Sequence, residues 1–123
     1  MARAAPLIAA VLLAAAPALA SEWTEAEVAS VAAEAGLDPA ALLLPGDSDY
    51  GAYLAGECTA CHQASGSYDG IPVITGWDPV PFKLAMHEYR SGARAHPVMS
   101  MIAAGLGDEE IAALAAYFAT LDD

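Results

Sequence analysis

The stretch from Gly56 to Gln63 reads GECTACHQ and places Cys58, Cys61 and His62 within five positions. Cysteines this close in sequence can form a disulfide, bind a metal ion or attach a c-type haem. In the haem case, two cysteines separated by two residues match the two vinyl groups of one porphyrin. The histidine directly after the second cysteine then reaches under the ring and binds the iron. The order and spacing of the three residues match this last geometry.

The first twenty residues indicate the compartment, which decides the cysteine chemistry that is available. They combine Arg3, an apolar run over positions 7–16 and the A-x-A pattern of Ala18-Leu19-Ala20. This combination is typical of an export signal cleaved after Ala20, and the run is too short to span a bilayer. We therefore expect residues 1–20 to be a signal peptide and the protein to be periplasmic and bacterial, with no membrane anchor after cleavage.

In an oxidising compartment two neighbouring cysteines would by default form a disulfide, but the adjacent His62 favours haem. A thioredoxin-type C-x-x-C would follow an apolar strand, whereas residues 50–55 in front of the motif indicate a helix. A zinc site would need a fourth ligand and usually a second cysteine pair, and the chain has two cysteines in all. We therefore predict one covalently bound haem c, held by thioethers to Cys58 and Cys61, with His62 as an iron ligand.

The charge of the chain limits its partners. There are 16 acidic residues against 4 basic ones, for a net charge of −12, and all the acidic residues lie after position 20. Such a charge argues against nucleic acid or an anionic membrane surface as partner and favours steering towards a basic protein surface. Acidic residues that only maintain solubility would give the same composition.

An electron-transfer haem normally has a second axial ligand, and five downstream side chains are candidates: Met86, His87, His96, Met99 and Met101. The first two fall in a predicted helix that begins at Asp78 and Pro79 and ends at Gly92. There, packing for Met86 and a surface position for His87 are the favoured interpretations.

Met99 lies in the segment from His96 to Met101, which is predicted to be a proline-containing loop that can direct one side chain towards the haem. If this loop is extended, Met101 shares a face with Met99, so spacing alone does not separate the two.

Four motifs together resemble a known family. They are the C-x-x-C-H of 58–62, the IPVITG of 71–76, the YRSG of 89–92 and the LGDEEIAALAAYF of 106–118. Over about 47–121 the chain is similar to class I c-type cytochromes. Among these it most resembles the cytochrome subunit of flavocytochrome c sulfide dehydrogenase and the related dihaem cytochromes c.

The resemblance implies roles for individual residues. The ligand methionine of those relatives comes just before an x-x-Ile-Ala step, here Ile102-Ala103, which selects Met99 over Met101 as the second axial ligand. The carbonyl of Pro72 is implied to accept the ring proton of His62 and so to fix its orientation. The chain has one C-x-x-C-H motif, so the dihaem relatives guide the fold and not the number of haems.

The same patterns predict an all-α protein with helices wrapped around one haem and two parts after the signal peptide. Residues 21–46 are an N-terminal helical extension, with a capping box at Thr24 and Glu27, a stop at Gly36 and a short second helix over Ala40 to Leu44. An accessory helix that covers the domain is favoured over a docking element.

Residues 47–123 form the monohaem cytochrome c domain. Its last helix starts at about Asp108, after Gly107 as an acceptable N-cap, and is predicted to pack across the helix before Cys58. Gly51 and Ala55 would allow the two helices to approach closely, with Leu54 filling the crossing.

A small haem domain must also accommodate the propionate charges. Trp77 and Tyr68 are polar-tipped aromatic residues that could hold a propionate or simply pack half-buried. Lys83, Arg90 and Arg94 are the side chains able to offset the propionate charge or to mark an interface, although Arg90 also suits a helix C-terminus.

Histidine and methionine ligation leaves no open iron position, which predicts electron transfer rather than catalysis. The first hypothesis is the haem subunit of a heterodimer with a flavoprotein that oxidises sulfide or another reduced sulfur compound. The alternative is a free carrier that serves a terminal oxidase or another respiratory enzyme. A ligand-sensing haem protein would follow if neither Met99 nor Met101 binds the iron.

Overall fold

The structure is a computed structural model that describes residues 2–4, 23–63 and 70–121. The regular elements of these ranges are seven α-helices, and no β-strand occurs in them. The helices are α1 (Glu25–Glu34), α2 (Pro39–Leu43), α3 (Ser48–Leu54), α4 (Gly56–Thr59), α5 (Pro79–Ser91), α6 (Pro97–Ala104) and α7 (Asp108–Ala119). The predicted all-α fold is confirmed. Most of the predicted signal peptide lies outside the described residues, as does Tyr68.

Several helix ends are fixed by caps that the sequence indicated. At α1 the Glu27 N–H donates to the Thr24 hydroxyl at 3.1 Å, and the Thr24 N–H donates to the Glu27 carboxylate at 2.9 Å. At α5 the Asp78 carboxylate accepts the Val80 N–H at 3.0 Å, and Gly92 ends the helix with φ of 85°. These contacts satisfy backbone groups that a helix end leaves without partners.

The backbones of α3 and α7 approach closely where the two helices cross. A Cβ atom on Gly51 would lie 2.0 Å from the Ala113 carbonyl oxygen, so the two backbones touch at this point. On the α7 side, Ile111, Leu114 and Phe118 are each at most 1% exposed. Close backbone approach at a glycine is therefore what joins the helix before the C-x-x-C-H motif to the C-terminal helix, as predicted.

The N-terminal extension packs on the domain through an apolar cluster of its own. Val28 and Ala32 of α1 and Leu42 of α2 are fully buried and lie against Val80 of α5. The ammonium of Lys83 on α5 also donates to the carbonyl of Leu44 at 3.1 Å. Helices α1 and α2 therefore bury their apolar residues against one side of α5.

The structure corrects two expectations for α5. His87 was expected at the surface but is 1% exposed, because this stretch of α5 is covered on several sides. Lys83 was expected to be available for a propionate or an interface, but it is 6% exposed and its ammonium is used by Leu44. Burial lowers the pKa of Lys83, opposed by the nearby Asp78 carboxylate.

The prediction that residues 96–101 form a loop is also wrong, because His96 caps α6 and the helix begins at Pro97. Pro97 takes the first helical position, where its missing N–H has no cost, and His96 Nδ1 accepts the Met99 N–H at 3.2 Å. Histidine is not among the residues usually expected at an N-cap, so the sequence did not indicate this helix start.

Candidate functional site

A cavity of about 560 Å³ lies between α4, α5, α6 and the segment 70–77. Its buried wall is apolar and comes from five side chains: Ile74, Phe82, Ala85, Met86 and Leu114. The volume falls within the range of pockets that hold a ligand of moderate size. Apolar walls of this kind exclude water from whatever occupies the cavity.

The short helix α4 brings the C-x-x-C-H residues to this cavity. The N–H groups of Cys61 and His62 both donate to the Cys58 carbonyl, at 3.2 and 2.8 Å, so the helical turn continues through the motif. Cys58, Cys61 and His62 all line the cavity, and both thiols are free in the structure. Before haem is attached, burial and then the neighbouring Glu57 carboxylate raise the pKa of the Cys58 thiol and favour its protonated form.

The ring of His62 is oriented by a hydrogen bond of 2.7 Å between its Nδ1 and the Pro72 carbonyl oxygen. A carbonyl oxygen can only accept, so Nδ1 must carry the proton. In the neutral ring the other nitrogen, Nε2, is then the one without a proton and can bind a metal ion. The structure thus contains the contact that the sequence resemblance implied between His62 and Pro72.

The two methionines near the cavity differ in where their side chains lie. Met99 lines the cavity and is half-buried in the main apolar cluster. Met101 is 70% exposed and does not line it. The reason is the helix: residues two positions apart point in nearly opposite directions on α6, whereas on an extended segment they would share a face.

The other three ligand candidates have different surroundings. Met86 is 7% exposed within the apolar cluster that also contains Phe82. His96 lines the cavity, but its Nδ1 already caps α6. His87 does not line the cavity, and its Nδ1 lies 2.9 Å from the Arg90 guanidinium.

Among the polar residues named from the sequence, Trp77 and Arg94 line the cavity. Trp77 is 37% exposed and meets Phe82 edge to face, with 6.5 Å between ring centroids. The Arg94 guanidinium lies 5.4 Å from the Tyr89 ring centroid and 3.3 Å from the Glu88 carboxylate. Neither Lys83 nor Arg90 lines the cavity.

Sequence reasoning missed the lining role of Tyr89. This residue follows Phe82 and Met86 at positions i, i+4 and i+7 of α5, and all three face the cavity. That helical spacing was a signal that could have identified the wall.

The sequence matches the cytochrome c family over residues 48–122, which is more than half of the chain. The chain belongs to the cytochrome c family. Its cofactor is therefore covalently bound haem c, and Cys58 and Cys61 have the spacing that attachment requires. This family assignment confirms the resemblance to class I c-type cytochromes.

Three curated relatives share the same region. The chain is 40% identical over 62 residues to the thiosulfate dehydrogenase electron acceptor of Stutzerimonas stutzeri, covering 48% of the chain and 29% of that protein. It is 35% identical over 72 residues to the cytochrome subunit of sulfide dehydrogenase of Chlorobaculum tepidum, covering 58% of the chain and 66% of the subunit. It is 34% identical over 82 residues to cytochrome c-554(548) of Halomonas halodenitrificans, covering 61% of the chain and 96% of that protein. The chain thus spans less than two thirds of the length of the first two relatives.

The residues that the structure brings together fit a haem. Two thiols, an imidazole whose Nδ1 is held by the Pro72 carbonyl and a thioether from α6 all line one apolar cavity. Iron accepts both imidazole and thioether ligands, and a porphyrin requires apolar walls.

No helix in the described part of the chain has the length and apolar character needed to cross a bilayer.

Proposed function

We propose that this cytochrome c is exported to a bacterial periplasm and transfers single electrons, with His62 and Met99 as the axial ligands of its haem iron. The observation that carries the proposal is that both side chains, from separate parts of the fold, line one cavity together with Cys58 and Cys61. A bound haem supplies reversible one-electron chemistry at its iron. With both axial positions filled by protein, no position is open to oxygen or substrate, so the chain acts as an electron carrier rather than a catalyst.

The protein residues around the haem have separate roles in this proposal. Cys58 and Cys61 hold the porphyrin through thioethers, and the Pro72 carbonyl keeps His62 in the tautomer that presents Nε2. Met99 supplies a soft ligand that favours the ferrous state and so raises the reduction potential. Trp77 and Arg94 are placed to hydrogen-bond or neutralise a propionate.

We further propose that the chain is the haem subunit of a heterodimer and accepts electrons from a flavoprotein that oxidises sulfide or another reduced sulfur compound. The names of two relatives support this partner, since one is a cytochrome subunit of sulfide dehydrogenase and the other a thiosulfate dehydrogenase electron acceptor. One haem takes one electron at a time. Each two-electron oxidation of the sulfur compound therefore requires the haem to be reduced and reoxidised twice.

A free soluble carrier is the second candidate. It is favoured by the match to cytochrome c-554(548), of which the chain covers 96%. The name of that relative mentions neither a dehydrogenase nor a subunit. Every haem residue is shared by the two candidates, so they differ only in whether a partner chain stays bound.

The deciding experiment is an absorption spectrum, oxidised and reduced, of the protein purified gently from its native periplasm with whatever remains bound. Haem bands together with flavin absorption and a second, larger chain would support the flavoprotein complex. Haem bands alone, with the ferric sulfur-to-iron charge-transfer absorption, would support the free carrier. Recovery of the protein from the cytoplasm with residues 1–20 still attached would contradict the proposed export.

The acidic surface leads to a prediction about partner binding. If the net charge of −12 steers the protein towards a basic partner surface, its reduction by the physiological donor should slow several-fold between low and physiological ionic strength. The measurement is stopped-flow reduction of the haem at a series of salt concentrations. A rate that is indifferent to salt would assign the acidic residues to solubility instead.

A further inference from the structure

One guanidinium joins the end of α5 to the segment that carries Met99. Arg90 donates from one terminal nitrogen to the Leu106 carbonyl at 3.1 Å, and from the other to the Asp108 carboxylate at 2.6 Å and to His87 Nδ1 at 2.9 Å. Leu106 lies in the Gly105-Leu106-Gly107 linker between α6 and α7, and Asp108 is the first residue of α7. We call Arg90, His87, Asp108 and the Leu106 carbonyl the Arg90 cluster.

The proton positions in this cluster follow from the donor at its centre. Arginine remains protonated and can only donate, so His87 Nδ1 must accept. His87 therefore carries its proton on Nε2, a buried atom without a hydrogen-bond partner. A buried N–H without a hydrogen-bond partner raises the free energy of the folded state. The hydrogen bond from Arg90 to the other ring nitrogen, Nδ1, offsets part of this cost.

Helix α6 packs on α5 and has one fully buried residue. That residue is Ala103, and Met101, which does not line the cavity, is 70% exposed. The linker that follows contains two glycines, which lower its stiffness. A segment with few buried contacts opens at low free energy unless something else restrains it.

We propose that Arg90 is a positioning residue that fixes the 97–107 segment against α5 and α7 and thereby keeps Met99 directed into the haem cavity. The inference rests on the proposed ligation by Met99. It assigns to Arg90 a role beyond the helix C-terminus, since two of its acceptors, the Leu106 carbonyl and the Asp108 carboxylate, lie outside α5. Arg90 acts through Met99 and does not line the cavity itself.

The test measures how easily an added ligand displaces Met99. Free imidazole is titrated into the ferric protein while the sulfur-to-iron charge-transfer absorption is recorded. Arg90→Gln should bind imidazole on the order of tenfold more tightly than the native protein, because hydrogen bonds to a charged group that restrain Met99 are lost. Arg90→Lys keeps the positive charge but loses the planar guanidinium with its several donors. Its imidazole affinity should lie between those of the native protein and Arg90→Gln.

Three further variants make the test independent of overall stability. Asp108→Ala removes one partner of Arg90 at an exposed helix start and should raise imidazole affinity, whereas Glu109→Ala removes an exposed acid from the same turn and should not. Lys83→Gln loses the buried bond to Leu44 and should lower the unfolding midpoint while leaving imidazole affinity unchanged.

The outcomes separate this inference from the proposed ligation. If the native ferric protein lacks the charge-transfer absorption, Met99 is not the ligand and both proposals fail. If that absorption is present but imidazole binds Arg90→Gln and Asp108→Ala as it binds the native protein, the role of Arg90 alone is refuted. Equal effects in Lys83→Gln and Arg90→Gln would also refute it, since they would indicate general destabilisation.

The pH dependence gives a second readout. Burial first, then the Arg90 and Lys83 charges, lower the pKa of His87 below its ordinary 6.5, while Asp108 acts in the opposite direction. The unfolded chain therefore takes up this proton first, so stability falls as pH decreases below about 6.5 until the lower folded pKa is reached. Because protonated His87 cannot accept from Arg90, the affinity for neutral imidazole should rise as the pH falls through the lowered folded pKa of His87, and His87→Gln should abolish that rise. No such rise in the native protein would contradict the cluster's role.

Discussion

Replacement of Met99 by alanine is expected to abolish the ferric sulfur-to-iron charge-transfer absorption, while replacement of Met101 by alanine is expected to leave it intact. The two side chains have the same chemistry and lie two positions apart on α6. They differ in direction, since Met99 lines the cavity and Met101 is 70% exposed. Loss of the thioether should also lower the reduction potential, because this soft ligand favours ferrous iron.

Met101→Ala is the matched control, because it removes the same group from the same helix. The measurement is the absorption spectrum of both oxidised variants, followed by a redox titration. Retention of the charge-transfer absorption in Met99→Ala would refute the ligand assignment, and its loss in Met101→Ala would reassign the role to that residue. Either result would leave the haem attachment at Cys58 and Cys61 unaffected.

The second large effect is expected at the helix crossing. Gly51→Ala should destabilise the folded protein by about 3 kcal/mol or more, since overpacked positions typically cost 1–3 kcal/mol and this one meets backbone. The new Cβ would lie 2.0 Å from the Ala113 carbonyl oxygen and 2.7 Å from the Tyr117 Cβ. Only separation of α3 from α7 could relieve those contacts.

The comparison variant is Gly56→Ala, at a helical glycine where a Cβ would have nothing within 4 Å. This change should be close to neutral or slightly stabilising, since alanine loses less conformational freedom than glycine. The free energy of unfolding of the haem-containing proteins is measured by denaturant titration. Equal stabilities for the two variants would show that α3 and α7 can separate at little cost, against the close contact seen here.

Much of the fold could be predicted because its signals are local. The capping box of Thr24 and Glu27, the Asp78-Pro79 helix start and the stop at Gly92 each depend on residues within a few positions of one another. Their hydrogen bonds form in the same way whatever lies around them. Signals of this kind therefore predicted the limits of α1, α2 and α5 closely, whereas α4, which has no side-chain cap, and α6, whose cap is a histidine, were not predicted.

Burial could not be predicted in the same way. His87 was expected at the surface on the character of its residue type, yet it is 1% exposed beside Arg90. Whether a helical position is covered depends on which other helices pack on that face, and the sequence of α5 alone does not contain this information. The hydrogen bond from Lys83 to the Leu44 carbonyl, 39 positions away, could not be predicted for the same reason.

The sequence by itself determined the haem chemistry of this cytochrome, because Cys58, Cys61 and His62 must stand at this spacing to reach one porphyrin. It also determined the helical character of the chain. The tertiary structure decided which methionine side chain faces the cavity and which polar groups are buried together around Arg90. The physical reason is distance along the chain: thioether spacing and helix caps act over a few residues, whereas the direction of Met99 and the acceptors of Arg90 depend on how α5, α6 and α7 pack.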